Sequence, residues 1–136
     1  MSEYLQDGNE FARLRVLVAD DEEDIRRLTV FTLKRRGFTV LEAAAGDTAL
    51  ELIRRELPDL VVLDVMMPGL DGLQVAGAMR GDPTTAAIPI IMLSAKGQVP
   101  EIEAGIASGA VVYLVKPFSP RELADRVTQT LAERSP

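Results

Sequence analysis

Five short apolar runs, each followed by a segment with helical spacing, constrain this 136-residue chain more than any other feature. The runs cover 15–19, 38–41, 60–63, 88–93 and 111–115. A strand with one wet face alternates apolar and polar residues, whereas unbroken Val, Ile and Leu mark strands covered on both sides. After the first run, Ile25, Leu28, Phe31 and Leu33 recur at spacings that suit a helix face, ending at Gly37 behind Lys34-Arg35-Arg36. Between 47 and 56, Leu50, Leu52 and Ile53 stand among Glu and Arg, and Pro58 closes that helix. Three more helices are expected over 73–80, 101–108 and 121–133; Gly105 interrupts the middle one and Gly109 stops it. Gly105 should cost that helix about 1 kcal/mol relative to Ala. Strands alternating with helices predict an α/β fold, a five-stranded parallel sheet with helices on both faces, because only crossover connections can join parallel neighbours.

The length suits one domain with a real core. With 15 basic against 21 acidic residues the formal charge is −6, which argues against direct binding of nucleic acid. Cysteine and histidine are both absent, excluding disulfides, Cys or His zinc sites and imidazole catalysis. Any metal must therefore be held by oxygen. The apolar stretches are too short for a membrane span, and Glu3, Asp7 and Glu10 replace the basic and apolar leader of a signal peptide, so the expected location is cytoplasmic with no membrane partner.

The apolar runs end in chemistry. Asp20 and Asp21 follow the first, Asp64 the third, Ser94 the fourth and Lys116 the fifth. Taken singly, each has an ordinary explanation as a helix cap, a turn former or solvated surface. In open parallel sheets, however, ligands bind beyond the carboxyl ends of the strands, and all five residues are placed there. Three carboxylates held together repel unless a cation sits among them, and an all-oxygen set suits Mg²⁺, which favours phosphate chemistry. A carboxylate can itself accept a phosphoryl group. Asp64 has the position for that role, with Asp20 and Asp21 to hold the metal and Lys116 and Ser94 to pair with phosphoryl oxygens.

On these residues the chain resembles the receiver domains of bacterial two-component response regulators. The matching pieces are Val16-Leu17-Val18-Ala19-Asp20-Asp21-Glu22, the stretch from Leu63-Asp64 to Asp71-Gly72, Pro89 through Lys96, and Gly109-Ala110 with Tyr113-Leu114-Val115-Lys116-Pro117-Phe118. The resemblance covers 14–133 as one receiver domain, with 1–13 as an N-terminal extension and 134–136 as a tail. It implies a flavodoxin-like (βα)5 arrangement with strand order 2-1-3-4-5. It implies that Asp64 is the phosphoacceptor, supplied by a phosphohistidine of a histidine kinase or phosphotransfer protein. It further implies that Asp20, Asp21, Asp64 and the backbone carbonyl of Met66 bind Mg²⁺, that Ser94 and Tyr113 form the switch, and that the Lys116-Pro117 bond is cis. The output surface would be the fourth helix, fifth strand and fifth helix, acting on a downstream protein or in a phosphorylation-dependent homodimer. Where relatives often carry two acids after Gly-Ala, this chain has Val111-Val112, which would either form an exposed apolar patch or extend a buried strand.

The resemblance implies a switch that catalyses only its own phosphorylation and dephosphorylation, not an enzyme acting on outside substrates. No DNA-binding or enzymatic module follows the last expected helix, leaving open a stand-alone receiver or one separated from its effector. A phosphohydrolase of the haloacid dehalogenase type would carry a second Asp two residues after the nucleophile, where this chain has Met66. A flavin-binding module is disfavoured by three acids at the phosphate site and by the lack of a glycine-rich or hydroxyl-rich loop after the first strand.

Overall fold

The structure is a computed structural model and describes residues 14–95 and 112–133. Its strands are β1 (Arg15–Ala19), β2 (Thr39–Ala43), β3 (Leu60–Asp64), β4 (Ile90–Ala95) and β5 (Val112–Lys116). They form one parallel sheet in the order β2-β1-β3-β4-β5, as the resemblance implies. The described helices are α1 (Glu23–Arg35), α2 (Gly46–Glu56), α3 (Gly72–Arg80) and α4 (Pro120–Glu133). The helix expected over 101–108, with Gly105, lies outside the described residues, as do 1–13, 134–136 and Val111.

Successive side chains of a strand point to opposite faces, and the two cores follow this alternation. Leu17, Ala19, Val61, Leu63, Ile90 and Met92 pack with Ala49, Leu50 and Ile53 of α2 and Val75, Ala76 and Met79 of α3. Val16, Val18, Leu60, Val62, Ile91, Leu93 and Leu114 pack on the other face with Val30 and Leu33 of α1 and Leu123, Val127 and Leu131 of α4. Burial on both sides is why β1, β3 and β4 read as unbroken apolar runs.

The face expected for α1 needs correction. Its buried residues are Thr29, Val30 and Leu33, while Leu28 and Phe31 are 52% and 56% exposed. Thr29 takes a core position that an apolar count passes over, and the helix is rotated accordingly. Phe31 has the Arg35 guanidinium 5.7 Å from its ring centroid instead of a core neighbour. Val112 is half-buried and packs against the core, so at that position the chain extends a strand. Among the described residues, no helix is long and apolar enough to cross a membrane.

Candidate functional site

The strand alternation that builds the core also sorts the polar residues at the carboxyl edge. Continuing Val16-Val18, Leu60-Val62 and Val112-Leu114 by two residues gives Asp20, Asp64 and Lys116, which therefore share the α1–α4 side. Ser94 continues Ile90-Met92 and belongs to the opposite side, as does Tyr113. Register brings the ends level: Asp64 lies beside Leu93, Ser94 beside Val115, and Ala95 beside Lys116.

The acids converge. Asp20, Asp21 and Asp64 can each present one carboxylate oxygen so that all three lie within 4.8 Å of one another. Asp20 and Asp64 are buried and Asp21 is exposed, so the cluster opens to solvent on one side. Asp20 Oδ1 accepts the backbone N–H of Glu22 at 2.9 Å, but its Oδ2 is buried with no hydrogen-bond partner among the described residues. Burial drives the Asp20 carboxyl up to about 7; the Glu22 backbone hydrogen bond opposes this, while the charge and side chain of Asp64 add to it. A buried carboxylate oxygen without a hydrogen-bond partner, in a cluster of three acids, is what a hard divalent cation would satisfy, and the all-oxygen donor set fits Mg²⁺.

Lys116 supplies the resident positive charge. Its Nζ donates to Asp64 Oδ2 at 2.7 Å and to Glu22 Oε1 at 2.7 Å, and stands 3.8 Å from Asp20 Oδ2. Burial pulls the ammonium down, but the hydrogen bonds to Asp64 and Glu22 and the charges of Asp64 and Asp20 outweigh it and hold its pKa above the usual lysine range. The Lys116-Pro117 peptide bond is cis, as expected. On the other side of the site, the Ser94 hydroxyl is fully buried and without a hydrogen-bond partner among the described residues. Tyr113 is half-buried against the core on the α2–α3 face, and that burial raises its phenol.

The loop between β3 and α3 is anchored at both ends and in the middle. The Met66 N–H donates to Asp64 Oδ1 at 3.2 Å, and the Val65 N–H to the Leu93 carbonyl at 2.9 Å. Further on, the Pro68 carbonyl accepts the Gly46 N–H at 3.1 Å, at the start of α2. Gly46 cannot carry a side chain there, because a Cβ would lie 1.7 Å from the Leu70 carbonyl oxygen. Asp71 then caps α3 in a reciprocal box with Gln74. Asp21, Glu22, Asp64, Met66, Ala95 and Lys116 line the resulting cavity of about 280 Å³.

Of the expected site residues, Asp21, Asp64, Met66 and Lys116 line this cavity and Asp20 joins their acidic cluster, whereas Ser94 is buried on the other face of the sheet and Tyr113 packs into the core there. Glu22 was not singled out from the sequence, where it reads as one more acid before a helix. Its contact with Lys116 spans 94 residues and leaves no local signal.

Comparison with known proteins agrees with this geometry. A family model described as the response regulator receiver domain matches residues 16–128. The phosphate regulon transcriptional regulatory protein PhoB of Klebsiella pneumoniae is 38% identical over 122 residues, covering 90% of this chain and 53% of that protein. The chain spans about half the length of the curated relatives it matches. Among solved structures, the Francisella response regulator 1452 receiver domain superposes with a TM-score of 0.80 at 35% identity, covering 88% of this chain and 98% of that one. The chemotaxis protein CheY4 of Vibrio cholerae gives 0.79 at 33% identity, covering 85% and 97%.

Proposed function

The chain belongs to the response-regulator receiver family of two-component signalling, and from that premise we propose that it is a switch phosphorylated on Asp64. The donor is a phosphohistidine on a histidine kinase or phosphotransfer protein. An Asp64 carboxylate oxygen attacks phosphorus in line, the P–N bond breaks, and its electron pair returns to the imidazole. Asp20, Asp21, Asp64 and the Met66 carbonyl are the groups that would hold Mg²⁺, which neutralises developing charge on the phosphoryl oxygens when bound.

The protein's own groups do the rest. Lys116 is already 2.7 Å from Asp64 and gives its positive charge to a phosphoryl oxygen. Ser94, with a buried and unpartnered hydroxyl, donates to another. Both gain a strong acceptor when Asp64 is phosphorylated, so the strand ends carrying them move towards it and Tyr113 turns inward beside Ser94. The conformational pair is then read on β5, α4 and the segment 101–108 by a downstream protein or by a second copy of the chain. Met66, two residues after Asp64, offers no proton for hydrolysing outside substrates, so the chemistry is confined to its own phosphorylation and dephosphorylation.

The observation that carries this reading is the buried Asp64 carboxylate held by Lys116 within reach of two further acids. Incubation with acetyl phosphate and Mg²⁺ followed by intact mass tests it. One added phosphoryl group is expected, lost with a chelator; steady phosphate release without an adduct would favour a hydrolase.

A further inference from the structure

One close charge contact at the site has no role in phosphoryl transfer as described. Glu22 occupies the N-cap position of α1, where a short side chain ordinarily accepts a backbone N–H of the first turn. Its carboxylate makes no capping hydrogen bond. It reaches across the sheet edge instead and accepts from Lys116 Nζ at 2.7 Å. The same ammonium donates to Asp64 at 2.7 Å. An ammonium has three N–H donors, and Lys116 commits two of them to carboxylates of unequal standing. The Glu22 side chain is 55% exposed, whereas that of Asp64 is 5% exposed. Glu22 can therefore exchange Lys116 for water at small cost, and Asp64 cannot.

We propose that Glu22 is a positioning residue that holds Lys116 in the unphosphorylated protein, and that an incoming phosphoryl group competes with it for the ammonium. The proposal rests on Asp64 being the phosphoacceptor. A phosphoryl group brings close to two negative charges and three strong acceptors, against the single charge of a half-exposed carboxylate. Lys116 turns to the phosphoryl oxygen and Glu22 is released towards solvent. Glu22 also borders two spaces, the cavity over Asp64 and a neighbouring groove of about 360 Å³ walled by Ile25, Leu28 and Phe118. Its release alters the rim of both.

Glu22→Gln keeps the shape and an acceptor oxygen while removing the charge that competes. With acetyl phosphate and Mg²⁺, the rate of adduct formation read by intact mass should rise about threefold to fivefold, the scale of an ion pair with one exposed member. In a Lys116→Met background the same substitution should change nothing, because the competition runs through the ammonium. Equal acceleration in both backgrounds would make Glu22 merely one more negative charge facing an anionic donor. An unchanged or slower rate with Lys116 present would show that it does not compete. Either result overturns the proposal.

A second readout holds even where Lys116→Met reacts too slowly to follow. Glu22→Gln should move the NMR resonance of the Lys116 ammonium before phosphorylation and leave it unmoved afterwards; an equal shift in both states contradicts the exchange. Absence of any adduct on the unsubstituted protein would instead remove the reading of Asp64 on which the proposal rests.

Discussion

Asp20 meets two demands that pull in opposite directions. Burial and the neighbouring Asp64 favour its neutral form, raising it to about 7, while the proposed cation binding would require it ionised. An unfolded aspartate titrates near 3.8, so between that pH and about 7 the folded chain holds a proton that the unfolded chain has lost. The contribution of Asp20 to stability is complete below the lower value and is lost as pH rises through the higher one. With a chelator present, the unfolding midpoint should fall between roughly pH 5 and pH 7. Affinity for Mg²⁺ should rise over the same interval with release of a proton. Asp20→Asn should flatten the first trend and weaken Mg²⁺ binding; thermal unfolding of the chelated protein across a pH series checks the first and a Mg²⁺ titration the second, and a chelated protein that gains stability over this interval contradicts the assignment. Asp20, Asp64 and Lys116 were legible in the sequence because each closes an apolar run. Glu22 was not, since its partner is fixed by tertiary contact while its own neighbourhood reads as helix start.

At the scale of elements, the central strands β1, β3 and β4 were legible because burial on both faces leaves an unbroken apolar run in the chain, while the edge strands β2 and β5 are only partly buried. The four described helices were located nearly as well, but the face of α1 was not, since Leu28 and Phe31 are exposed and Thr29 is buried. Counting apolar residues cannot show which side of a helix the sheet occupies. Two glycines illustrate how far context decides the outcome. Gly77 lies mid-way along α3, exposed, with nothing within 4 Å of the position a Cβ would take. Gly77→Ala should therefore stabilise the fold by about 0.5–1 kcal/mol through helix propensity alone. Gly46, at the start of α2, would drive its Cβ into the Leu70 carbonyl and displace the loop that carries Met66. Gly46→Ala should destabilise by about 1–3 kcal/mol, as overpacking does, and weaken Mg²⁺ binding as well. Denaturant midpoints of the two variants should move in opposite directions; equal shifts would contradict the loop anchoring.

For the whole molecule, the sheet order is what turns separate residues into a site. β3 lies between β1 and β4, with β5 beyond β4, so the acids after β1 and the ammonium of β5 reach the end of β3 and Ser94 stands on the neighbouring strand. The periodicity of the chain predicts parallel strands and their crossovers but does not by itself state this order, which followed from the family motifs. The placement of Asp64 at the focus of those strand ends is why we propose it, and no neighbouring acid, as the acceptor. Borohydride reduction of the protein treated with acetyl phosphate and Mg²⁺, followed by peptide mapping, converts an aspartyl phosphate to homoserine and so identifies the acceptor. Homoserine at position 64 and at no other aspartate is expected. Homoserine at position 20 or 21, or an adduct that persists in Asp64→Asn, would contradict the assignment.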